Sequence, residues 1–186
     1  MCSVRLPSRL DELSDLSPRL DHTFSRDDVP PNGIYLFFES GEQRRTAEGR
    51  IVDRVVRVGT HRADGRLPDR LRIHFSATRR RSVFRLHLGA ASLAQLDLDD
   101  PRLTPWLNRH GGPMPDVEAL VIDALRHRFT FACLPIAGRA DRLATEAALI
   151  GALSTHHRTE PSPDWLGRHT IPRAIRASGL WNIRGV

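Results

Sequence analysis

Pro31-Asn32-Gly33-Ile34-Tyr35-Leu36-Phe37-Phe38-Glu39 is the stretch on which the fold turns. A Pro-Asn-Gly turn signal opens an aromatic and branched apolar run, a pattern that reads as the start of a buried strand. The run holds the sole tyrosine of the chain. After a polar gap rich in Glu and Arg comes Ile51-Val52-Asp53-Arg54-Val55-Val56-Arg57-Val58-Gly59-Thr60-His61, which is valine-rich and alternating and reads as a second strand. The gap makes the pair a hairpin with a long loop.

Outward from the hairpin, Leu67, Leu71 and Phe75 recur at i, i+4 with Pro68 in a first turn, so residues 66–75 read as a helix. Arg70 and His74 are also four apart and share a face beside that apolar stripe. Ser82 can cap a helix reaching about Leu96; its start could be a strand, but the apolar periodicity continues past Gly89. Residues 99–115, with four prolines and Trp106, read as an ordered surface excursion, and Asp116 caps a helix over 117–126. Residues 129–136 read as a third strand closed by Pro135. Arg142 to Leu153 reads as a helix with Leu143, Ala147, Ile150 and Leu153 on one face. Glu146 lies inside that apolar stretch, where a carboxylate is costly to bury unless it is paired or metal-bound. Leucines at 6, 10, 13, 16 and 20 predict a helical N-terminal arm, and Trp165 and Trp181 predict a C-terminal tail folded back on the domain.

The chain has 186 residues, 40% of them hydrophobic, which is enough for one core. No apolar run reaches the ~18 residues of a membrane span. Residues 1–9 lack a signal-peptide centre, and Cys2 and Cys133 match no ligand spacing, so a cytoplasmic, reduced protein is the expectation. The net charge is +6, and all 28 basic residues are arginine. That balance suits a polyanion, nucleic acid first, although biased codon usage gives the same composition. The triplet Arg79-Arg80-Arg81 is the local candidate for gripping phosphates, with a solvated loop as the alternative.

The two strands carry Gly33-Ile34-Tyr35 and Arg57-Val58-Gly59, and in this the chain resembles the GIY-YIG nuclease family. The first tripeptide matches in full; in the second, Arg57 stands where the family usually has tyrosine. Arg70 and His74 look like the arginine and the histidine or tyrosine on the family's first helix. Glu146 looks like its metal-binding glutamate on the helix after the third strand. The family's asparagine has one counterpart after Glu146, namely Asn182, 36 positions on. The resemblance implies an α+β fold: a small three-stranded, mainly antiparallel sheet flanked by helices. The domain would span 30–155 with a helical insertion at about 76–127, between an arm over 1–29 and a tail over 156–186.

The resemblance implies a metal-dependent endonuclease that hydrolyses DNA phosphodiester bonds, with double-stranded DNA as partner and no membrane. Glu146 would hold Mg2+ (or Mn2+), Arg70 would contact the scissile phosphate, and Tyr35 would be the base or position the water. A cation beside Tyr35 favours the phenolate, so Arg57 could activate it. His61 or His74 could instead take the proton, since histidine titrates near neutrality. The competing reading is an inert nucleic-acid-binding module on the same fold.

Overall fold

The structure, a computed structural model, describes residues 10–76, 78–155 and 160–185. β1 (Gly33–Arg45) is the central strand of a three-stranded sheet, with β2 (Ile51–Thr60) and β3 (Phe129–Pro135) antiparallel on either side. The fold is therefore the α+β arrangement that the resemblance implies. Gly33 to Glu39 are buried without a break, because helices cover both faces of the sheet. Tyr35 and Phe37 face α1 (Leu67–Ser76), α2 (Val83–Leu96) and α4 (Pro115–Arg128), with Phe84, Val121 and Leu125 in the same core. Ile34, Leu36 and Phe38 face the other way and pack with Ile150 and Leu153 of α5 (Arg139–Thr155).

Both outer edges of the sheet are closed by non-strand residues, which removes unpaired backbone groups. At the β3 edge, Leu20 and Phe131 exchange two backbone hydrogen bonds of 2.8 Å each. At the β2 edge, the Trp181 N–H donates to the Val56 carbonyl at 2.7 Å. The Asn182 side chain takes both backbone groups of Val58: Oδ1 accepts from its N–H at 3.1 Å and Nδ2 donates to its carbonyl at 2.9 Å. No helix among the described residues is long and apolar enough to cross a membrane.

Four local expectations change. The polar gap is not a long loop, because β1 runs to Arg45 past an irregularity in the register. Glu42 and Arg44 point inward there; Glu42 meets Arg54 at 2.5 Å and Arg44 meets Asp11 at 2.5 Å. Paired charges, invisible to a hydrophobic pattern, extend the strand. In the described part of the N-terminal arm, the helix shrinks to a 3-10 turn at Leu10–Asp15. The excursion holds a short α3 (Leu103–Leu107) that buries Trp106. The face expected to be buried on α5 is covered only in its C-terminal half: Ile150 and Leu153 are buried, while Leu143 is 44% exposed.

Candidate functional site

β1 and β2 bring their glycine-containing tripeptides side by side, with Tyr35 opposite Gly59. A Cβ at position 59 would lie 2.2 Å from the Tyr35 hydroxyl oxygen, so only glycine lets the phenol cross the second strand. The phenol oxygen then sits 2.8 Å from His74 Nε2. His74 Nδ1 is 3.0 Å from Ser82 Oγ, and Ser82 also caps α2 by accepting the Arg85 N–H at 3.3 Å. Tyr35 and His74 are fully buried. Burial, and after it the charges of Arg70, Arg57 and Arg85, hold His74 well below its ordinary pKa, so the ring is neutral.

Arg57 pairs with Phe37 across the sheet, which puts it on the same face as Tyr35. Its Nη1 donates to the Trp181 carbonyl, its guanidinium lies 5.0 Å from the Phe84 ring centre, and its buried Nε has no partner among the described residues. Glu146 reaches the site from α5, which packs on the other face of the sheet, at the Thr60 end of β2. Burial raises its pKa, while Arg57, the Thr60 N–H and Arg70 pull it back. Glu146 senses the Arg70 charge, although the two form no ion pair, and Arg70 has no side-chain hydrogen bond among the described residues. Outward-pointing groups recur every second residue on a strand. Along the β2 edge, Trp181 covers Val56, Asn182 covers Val58, and Glu146 comes next at Thr60. Asn182 and Glu146, far apart in sequence, thus adjoin the same strand edge about 7 Å apart.

Tyr35, Arg57, Arg70, His74 and Glu146 are brought to one end of the sheet, with Asn182 beside them. His61 is placed apart in role. Its Nε2 accepts from the Gly33 N–H at 3.2 Å and its Nδ1 lies 2.7 Å from the Ala63 carbonyl. Both ring nitrogens are engaged, and burial lowers its pKa, so it fixes the start of β1 and offers no free base. Arg79 is a correction. It is 2% exposed, donates to the Gly112 carbonyl at 2.9 Å and lies 4.6 Å over the Trp106 ring, so its guanidinium is buried against residues 106–112 and is not open to a phosphate. Arg80 is exposed but bonds the Gly111 carbonyl at 2.7 Å. Arg81 is exposed, with no side-chain partner among the described residues.

Sequence reading missed Ser82 as more than a cap, and it missed His87. His87 is 8% exposed on α2, its Nδ1 has no partner among the described residues, and burial and Arg57 push its pKa to about 4. No periodicity distinguishes such a residue from an ordinary helix polar; only the approach of Arg57 does.

A divalent cation, implied by the resemblance, fits the donor set. Glu146 is a partly exposed carboxylate with no ion pair among the described residues. Among the described residues no group of three or more His, Cys, Asp or Glu could form an all-protein cage. One carboxylate completed by waters is the habit of magnesium. In comparisons with known proteins, a family model described as GIY-YIG domain matches residues 5–186. No curated protein and no solved structure matches the chain.

Proposed function

The chain belongs to the GIY-YIG domain family, and on that premise we propose that it is a magnesium-dependent (or manganese-dependent) endonuclease that hydrolyses double-stranded DNA at the end of the sheet where Glu146 and Arg70 meet. One observation carries the reading. The charge of half-buried Arg70 lowers the pKa of the partly exposed Glu146 carboxylate, yet the two side chains form no ion pair with each other. Oppositely charged groups left unpaired at this range have room for a ligand that satisfies both, and a metal-bound phosphate does so.

Arg70 donates to the scissile phosphate, and its charge opposes the negative charge that builds in the transition state. Arg57, fixed by the Trp181 carbonyl, adds a second positive charge on the Tyr35 face. Glu146 would hold the cation, which when bound supplies Lewis acidity to the leaving oxygen. Tyr35 serves as the base or holds the attacking water, and as a phenolate it can only accept hydrogen bonds. His74 must then carry its proton on Nε2 and donate it to Tyr35. His74 Nδ1 in turn accepts from the Ser82 hydroxyl, whose oxygen already takes the Arg85 N–H. The chain Ser82, His74, Tyr35 has one direction, and it makes His74 a positioning residue. Asn182 holds the strand edge against which Glu146 lies.

A second reading, an inert nucleic-acid-binding module, is favoured by two observations: Tyr35 has no exposed surface, and Arg57 takes the place of the second tripeptide's tyrosine. Incubation of plasmid DNA with the protein and magnesium, beside Glu146→Ala, separates the two. Nicking that disappears in the variant supports the nuclease; retarded but uncut plasmid with both proteins overturns it.

A further inference from the structure

The outward face of α1 forms a groove of about 260 Å3 lined by Arg66, Asp69, Arg72, Ile73, Ser76 and Arg81. Three guanidiniums face a single carboxylate. That carboxylate is already matched, since Asp69 Oδ2 lies 3.1 Å from Arg66 and Oδ1 lies 3.1 Å from Arg26. Arg72 and Arg81 are exposed and have no side-chain hydrogen bond or ion pair among the described residues. Ser76 cannot donate to a ligand, because its hydroxyl proton goes to the Arg72 carbonyl at 2.8 Å. Arg72 and Arg81 are therefore the two guanidiniums of the groove that no acidic group among the described residues holds.

The groove continues from the candidate site. Arg66 stands one helical turn before Arg70, about 5–6 Å along the axis. Phosphates of one DNA strand recur every ~3.4 Å of duplex axis. A strand whose cut phosphate rests on Arg70 and that runs along the outward face of α1 crosses this groove within a few nucleotides.

We propose that the α1 groove is a second phosphate-binding subsite, in which Arg72 and Arg81 hold the DNA backbone next to the cut position. It rests on the nuclease reading for its location, though not for its chemistry. Contacts of this kind set register and carry no base preference. Each neutralised phosphate releases counterions, so removing both arginines flattens the dependence of log K on log salt by about 1.8, at 0.9 per contact.

The test measures binding of the full chain to a fluorescein-labelled duplex without divalent metal, over a range of potassium chloride concentrations. The Arg72→Ala/Arg81→Ala variant is compared with wild type and with Arg126→Ala/Arg173→Ala, which removes two exposed arginines from other helices. Melting temperatures check that all three are folded. A slope shallower by about 1.8 in the groove variant alone is the expected result. An unchanged slope, or an equal drop in the control pair, overturns the subsite. Cleavage of the same duplex in magnesium is read separately. Absence of cutting with the slope change present removes the nuclease reading and leaves the subsite; cutting with an unchanged slope does the reverse. A wild-type protein that does not bind the duplex overturns both.

Discussion

Glu39 and Glu146 are both carboxylates whose pKa burial raises, and their surroundings differ in every other respect. Glu39, on β1, is 2% exposed; its Oε2 accepts from Trp165 Nε1 at 3.0 Å and from Trp181 Nε1 at 3.1 Å. Its Oε1 lies 2.8 Å from Arg128, although not in hydrogen-bond alignment with it. Two indoles from the tail and one guanidinium from α4 complete the group. Glu146 is partly exposed, lies against one backbone N–H, and faces two arginines that do not bond it. A buried charge held by an opposite charge and several donors holds structure together; one that no opposite charge pairs with is free for a ligand. A shifted pKa alone does not tell the two apart.

The comparison breaks if the two residues respond alike to removal. Glu39→Ala leaves two buried indole N–H groups and an arginine without their partner, and stability is expected to fall by about 3–5 kcal/mol in denaturant titration. Glu146→Ala is expected to leave the denaturation midpoint unchanged within error and to lower the plasmid cleavage rate by about 100- to 1,000-fold. A Glu146 variant that melts early but still cuts would reverse the assignment.

Histidines sharpen the same contrast. His61 has both nitrogens engaged, whereas His87 Nδ1 has no partner among the described residues. The folded pKa of His87, about 4, lies below its ordinary value of 6.5. The unfolded chain therefore binds this proton more readily, and the folded state loses stability as pH falls from about 6.5 towards 4. His87→Gln should flatten that loss by about 3 kcal/mol at pH 4, measured as unfolding free energy against pH; parallel curves would show His87 to be solvated. The smallest effect belongs to Asn182→Ala, which uncovers both backbone groups of Val58. A stability loss of about 1–2 kcal/mol is expected, with a several-fold drop in cleavage as the strand edge beside Glu146 loosens. A cleavage rate identical to wild type at low temperature would detach Asn182 from the site.

The local chemistry of the chain fixes much of this arrangement. The Pro-Asn-Gly entry, the alternating valines and the i, i+4 pairs define strands and helices through contacts within a few residues, so β1, β2, α1 and α2 are legible. The spacing of Arg70 and His74 is legible for the same reason: one helical turn puts them on one face whatever surrounds the helix. Which arginines are available is not legible, because all are chemically the same. Arg79 lies over Trp106 while Arg81 stays open, and that difference depends on where residues 106–112 return. The tertiary structure alone decides that Glu39 meets two tail indoles, that Glu146 meets the Thr60 N–H within reach of the Arg57 and Arg70 charges, and that Asn182 adjoins the same strand edge. Sequence patterns encode the energy of a residue against its own helix or strand; pairing across long loops depends on how whole faces pack, and no local period carries that information.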